Sequence, residues 1–162
     1  MLASNITGII GISGIDSTSE EVSVTTEDQS GDARKTSIAP MLSVRRGAEA
    51  VDFYKTAFGA VEVFRIDGDG GAVVARLAVD GAEFWVADES PEHSNFSPET
   101  LGGGTVRMVM IVDDPDAAFD RAVTAGATVV RAVANEYGWR LGRIVDPFGH
   151  HWEVGKPLSE GL

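Results

Sequence analysis

The chain has no cysteine, which removes a disulfide framework, a thiolate nucleophile and any thiolate-bound zinc. Basic residues are scarce: 13 Lys and Arg stand against 25 Asp and Glu, for a formal charge of -12. A nucleic-acid backbone is bound by clustered cations, so DNA and RNA are not expected partners. Long apolar runs are missing too. No stretch approaches the roughly 20 residues that cross a bilayer, and the N-terminus lacks the basic segment that opens a secretory signal, so no membrane partner and a cytoplasmic location are expected. What is present, 162 residues with 43% apolar side chains, suffices for one ordinary core.

The stretch 146–154, Asp-Pro-Phe-Gly-His-His-Trp-Glu-Val, combines a turn, a strand and the best polar candidates. Proline at the second position, an Asp able to bond back to the turn amides and a final glycine suit a type I turn over 146–149. Alternation along the strand that follows puts His151 and Glu153 on one face and Trp152 and Val154 on the other. Glu153 is then either a solvated edge-strand acid or a cavity residue, and the pattern leaves both readings open. His150 falls on the side opposite His151.

Residues 1–37 read differently from the rest. A small Gly/Ile/Ser segment (Ile6 to Ile15) precedes an acidic, Ser/Thr-rich run, which predicts a flexible acidic extension; the β-branched isoleucines could alternatively pair with an exposed sheet edge. From Ile38 the pattern sharpens: a strand over 38–44, a helix over 48–58 stopped by Gly59, strands over 61–67, 72–79 and 82–87, the last two joined at Asp80-Gly81. A long, mobile connection is expected over 88–104. The same order then returns: a strand over 105–112, Asp113-Asp114-Pro115 as cap and first turn, a helix over 116–125 stopped by Gly126, a strand over 128–133, an irregular segment over 134–139, a strand over 140–145 and the closing strand. The two helix stops, Gly59 and Gly126, lie 67 residues apart, and the same offset pairs Val63 with Val130. Repetition at this scale predicts two copies of one βαβββ unit, each needing the other to bury its sheet. Gly102-Gly103-Gly104 precedes a strand, not a helix, so it offers no phosphate-binding helix terminus.

These two units, the segments AVDFYKTAFGA (50–60) and VDDPDAAFDRAVTAGA (112–127), and the closing DPFGHHWEV together resemble the vicinal-oxygen-chelate superfamily of glyoxalase I, bleomycin-resistance and fosfomycin-resistance proteins and extradiol dioxygenases, and within it the PhnB-like branch. The resemblance covers 38–158. It implies an α+β fold, with two βαβββ modules (38–88 and 104–156) forming curved mixed sheets around a cavity and helices outside. Metal-dependent members carry one ligand on the first strand and one on the last strand of each module. Those places fall here on Ala39, on Trp85 or Val86, on Arg107 and on Glu153, of which only Glu153 suits a metal. A transition metal wants about three His or carboxylate ligands. No essential metal or other cofactor is therefore expected, although His151 with Glu153, joined by Asp88 or His93 from the connection, could supply an unconventional divalent site.

On this alignment Arg107 shares a face with Val109 and Ile111 and looks across the cavity at Glu153, where the two charges would neutralise each other; alternatively its stem packs while its head reaches solvent. Trp85, Tyr137 and Trp139 offer flat surfaces for a planar ligand if they edge the same cavity. The expectation is a homodimeric, metal-independent binder of a small organic molecule, of the drug-sequestering bleomycin-resistance type, with Arg107, Glu153, Trp85, Tyr137 and Trp139 at the ligand. The alternative is a lyase, isomerase or dioxygenase of the same superfamily that uses Glu153, with His151, as base or metal ligand.

Overall fold

A computed structural model of the protein describes residues 36–159, so the expectations for the N-terminal extension fall almost wholly outside the described residues. Strand β1, Met41–Val44, starts three residues later than the apolar pattern suggests, directly after Pro40, which has no N–H to give to a sheet. Helix α1, Gly47–Phe58, buries Ala50, Val51, Phe53, Tyr54, Ala57 and Phe58 and ends at Gly59, whose φ of 67° is the left-handed conformation that glycine adopts without strain. Its first turn is held by Asp88, whose carboxylate accepts from Gly47 N at 2.9 Å and from Val73 N at 2.7 Å. Strands β2 (Val61–Asp67), β3 (Val73–Val79) and β4 (Ala82–Asp88) complete a sheet of order β1-β4-β3-β2, in which only the β1–β4 pair is parallel.

The connection expected to be mobile is instead pinned by one acid. Glu89 accepts from Ser97 N at 2.8 Å and from Thr100 Oγ1 at 2.7 Å, and Ser97 caps the short helix α2, Pro98–Leu101. The second unit follows as β5 (Arg107–Ile111), α3 (Pro115–Thr124), β6 (Thr128–Glu136), β7 (Trp139–Val145) and β8 (His151–Pro157), in sheet order β5-β8-β7-β6 with only β5–β8 parallel. Asp114 caps α3 by accepting from Ala117 N at 3.1 Å. The segment 134–139, expected to be irregular, continues β6 and turns at Tyr137-Gly138, where both residues have positive φ, 51° and 79°. That is the two-residue hairpin geometry, unsignalled here because tyrosine occupies a place usually given to Asn or Gly.

One core joins the two units. Each helix packs on its own sheet, α1 packs against α3, and the rings of Tyr54, Phe58, Phe84 and Trp152 meet between them, with Phe58 and Trp152 centroids 4.7 Å apart. Gly142 is glycine because the Phe119 ring lies on it: a Cβ there would sit 2.7 Å from two ring carbons. Into this apolar centre projects Asp146, 4% exposed, which accepts from Phe148 N (3.0 Å), His150 N (2.9 Å), Tyr54 Oη (2.6 Å) and Trp152 Nε1 (2.9 Å). Among the described residues no helix is long and apolar enough to cross a membrane.

Truncating Phe58 or Trp152 to Ala is expected to cost about 3–5 kcal/mol, the range for large buried aromatics; a loss below about 1 kcal/mol in urea titration would show that these rings do not tie the units together. Tyr54→Phe removes a hydrogen bond to a buried carboxylate and should cost about 1.5–3 kcal/mol. Burial, with Asp146 beside it, holds the Tyr54 phenol neutral well above its ordinary value of 10.0. Its contribution is therefore complete below pH 10 and is lost as pH rises further. The stability gap between the wild type and Tyr54→Phe should narrow above pH 10, and a gap that widens there contradicts this assignment.

Candidate functional site

Each sheet has one face against the helices and one face open. On the first sheet the open face carries Met41, Phe64, Ile66, Arg76 and Trp85; on the second it carries Arg107, Val109, Ile111, Arg143, His151 and Glu153. Register decides the choice left open between Trp85 and Val86. Trp85 opposes Arg76 as Glu153 opposes Arg143, whereas Val86 is fully buried under α1, so Trp85 is the counterpart of Glu153.

Arg107 and Glu153 do come together, but as neighbours on adjacent parallel strands and not on opposite walls of a cavity. Arg107 registers with His151 and Val109 with Glu153, and the guanidinium reaches the carboxylate diagonally at 3.6 Å, with side-chain exposures of 55% and 18%. With the guanidinium half in solvent and 3.6 Å away, such a pair stabilises little; its consequence is local neutrality. The three aromatic candidates do not assemble around it. Trp85 lies on the other sheet, edge-on to Phe64 at 5.9 Å with the Arg76 guanidinium 5.5 Å over its ring. Trp139 shares the face of Arg143 but stands four residues, about 13 Å, along β7. Tyr137 is 94% exposed at the hairpin tip and edges nothing, because its positive φ aims the side chain away from the sheet's alternation.

The remaining candidates have other tasks. Asp88 is committed to Gly47 and Val73 backbone, His93 is exposed beside Glu92, and His150 Nε2 meets Ser43 O at 2.9 Å. His151 Nδ1 lies 3.2 Å from Arg143 Nη2. A guanidinium can only donate, so Nδ1 accepts and the ring proton sits on Nε2. Partial burial, with the Arg143 charge adding to it, holds this imidazole below its ordinary value of 6.5. A histidine that must donate through Nε2 is poorly placed as a general base.

Sequence reasoning overlooked Arg76 and Arg143. They occupy equivalent places on β3 and β7, 67 residues apart, and each has a buried Nε without a hydrogen-bond partner. The signal was available, since the same offset aligns the two helix-stop glycines. The donor set does not suit a transition metal. Of the places where the superfamily resemblance puts ligands, three hold Ala39, Trp85 and Arg107, and Glu153 is already paired; among the described residues no three of His, Asp or Glu converge. A separate cavity of about 310 Å³, lined by Met41, Phe96, Leu101, Val106 and His150 among others, lies between β1 and the α2 connection and does not include the Arg107–Glu153 pair.

Comparison with known proteins bears on this geometry. Residues 37–154 match the model of the Glyoxalase/Bleomycin resistance protein/Dioxygenase superfamily. An uncharacterized protein of Mycobacterium tuberculosis is 41% identical over 141 residues, covering 82% of this chain and 83% of that protein. The crystal structure of an Arabidopsis thaliana gene product superposes with a TM-score of 0.57 at 30% identity, over 75% of this chain and 97% of that one. A genomically encoded fosfomycin resistance protein, FosX of Listeria monocytogenes, shares the fold at 12% identity, with a TM-score of 0.60 over 77% of this chain and 95% of that one.

The Arg143–His151 contact makes a titration prediction. His151 should titrate below pH 6.5 by NMR, and Arg143→Gln should move it upward by removing a facing charge. Because the folded value is depressed, the stability His151 contributes is present above pH 6.5 and is lost as pH falls through the depressed value. A wild-type value at or above 6.5 would refute the contact.

Proposed function

The chain belongs to the Glyoxalase/Bleomycin resistance protein/Dioxygenase superfamily, and from that premise we propose that it is a homodimeric small-molecule binding protein of the PhnB-like branch, holding an organic ligand on the second sheet without an essential metal. The observation that carries this reading is the composition of that face. Its carboxylate, Glu153, has a guanidinium 3.6 Å away where a metal-dependent relative would place a cation, and the flanking Val109 and Ile111 are apolar. A cation there would have to displace Arg107 and, beyond Glu153 and His151, would find no third His, Asp or Glu converging on it among the described residues.

Dimerisation is part of the same reading. Met41, Phe64 and Ile66 on one open face and Val109 and Ile111 on the other are exposed. Exposed apolar side chains on these faces support an interaction surface, and a second copy laid over them would turn an open sheet into a cleft. Sequestration of a drug-like molecule is the class of action we favour. The FosX relative is named a fosfomycin resistance protein, which supports resistance as one use of this fold; at 12% identity it carries no site residues over. The enzymatic alternative, with His151 and Glu153 as base, is disfavoured by the Nε2–H tautomer and by the ion pair to Arg107.

The test is metal content and divalent-metal calorimetry on protein purified without chelator. Less than a tenth of an equivalent of Zn, Mn, Ni or Fe and no saturable heat are expected, whereas Arg107→His, which adds a ligand where the guanidinium now stands, should gain measurable affinity. One equivalent of metal in the wild type, lost in Glu153→Gln, would overturn the proposal.

A further inference from the structure

The second sheet carries an arginine that makes no ion pair among the described residues. Arg131 meets Glu136 at 2.7 Å and Arg107 meets Glu153 at 3.6 Å, so each of those pairs is neutral. Arg143 stands across the ladder from Glu153, yet among the described residues no carboxylate lies within 4.0 Å of it. Its polar contact is His151 Nδ1, a neutral acceptor, and its Nε is buried without a partner. The equivalent arginine of the first sheet is treated differently: Arg76 has Glu83 at 3.5 Å and the Trp85 ring at 5.5 Å. A half-buried arginine with no ion pair of its own among the described residues, on a face where Glu153 is already held by Arg107, leaves that face with a surplus positive charge, which is costly unless something else supplies a counter-charge.

We infer that this something is an oxyanion on the ligand, a carboxylate, phosphonate or phosphate, seated on Arg143 and on the Nε2–H of His151. The inference deepens, and rests on, the proposed small-molecule role. The chemistry is donor-only: Arg143 has no acceptor, and His151, having spent Nδ1 on Arg143, presents an N–H. Two donors side by side with a net charge of +1 suit an oxyanion, which guanidinium groups bind with charge-assisted, often bidentate bonds. Val109, Ile111 and Leu141 on the same face would take the apolar body of the molecule, and Glu153, already paired, would not repel it.

The experiment uses the full chain in a cationic buffer at low salt, with 1-naphthoate, phenylphosphonate and the neutral 1-naphthamide as calorimetric probes. At least one anion should bind about tenfold or more tightly than the amide, and the tighter of the two identifies the oxyanion class. Arg143→Gln should abolish the preference, Arg143→Lys should keep part of it, and Arg76→Gln should leave it unchanged. Should Arg143→Gln fail to fold, the wild type still decides: the His151 ring signals must shift on saturation with the anion and not with the amide. Equal affinity for anion and amide would overturn the inference while leaving the small-molecule cleft standing, and binding of neither would overturn both. A preference surviving Arg143→Gln places the anion elsewhere and overturns it. Dissociation of the dimer in Arg143→Gln, without competition by either anion in the wild type, assigns the guanidinium to a carboxylate of a second copy and also overturns it.

Discussion

The Asp146 carboxylate accepts hydrogen bonds from two backbone amides of its own turn, from the Tyr54 hydroxyl of α1 and from the Trp152 indole of β8. A carboxylate left bare in an apolar centre would cost several kcal/mol, so its four donors must be in place together. That requirement fixes three things at once. It sets the bend between β7 and β8, it locks α1 of the first unit onto the second, and it orients Trp152, about which the remaining aromatic rings are packed. Trp152 in turn fixes the parity of β8. With Trp152 inward, His151 and Glu153 must face outward, so the polar groups of the open face owe their direction to an acid on the other side of the sheet.

The two open faces are built alike and charged differently. Strand order, register and the arginine at the centre of each are repeated, but the first face carries Glu83 and Trp85 beside its arginine and the second carries His151 and a Glu153 that is held by Arg107. A carboxylate and a ring face both satisfy a guanidinium, whereas a neutral imidazole nitrogen satisfies one N–H and leaves the charge uncompensated. Divergence at two cross-strand neighbours, Glu83 against His151 and Trp85 against Glu153, thus separates a self-contained arginine from one that makes no ion pair among the described residues.

Legibility followed the range of the interaction. The helix stops, the Asp80-Gly81 hairpin, the Asp114 cap and the turn over 146–149 depend on residues a few positions apart, and each was readable from its own neighbourhood. The connection after β4 misled because its Pro, Asn, Ser and Gly content reads as loose chain, whereas Glu89 gathers the backbone of Ser97 and the hydroxyl of Thr100 from eight and eleven residues away. Tyr137 misled for the opposite reason. Its aromatic ring suggested a ligand wall, and only the backbone conformation of the hairpin, with φ at 51°, turns it out to solvent.

By itself the sequence determined the two-unit α+β fold and the shared face of Arg107 with Val109 and of His151 with Glu153, because periodicity is local and survives without coordinates. Tertiary structure alone decided which strand register obtains, and with it that Trp85 and not Val86 matches Glu153, that Arg107 is a diagonal neighbour of Glu153 and not its opposite wall, and that Arg143 makes no ion pair among the described residues. Those outcomes turn on offsets of one or two residues between strands far apart in the chain. A shift of one residue exchanges the faces of a strand, and what holds the shift at zero is the packing around Asp146, Tyr54 and Trp152, which no single segment encodes.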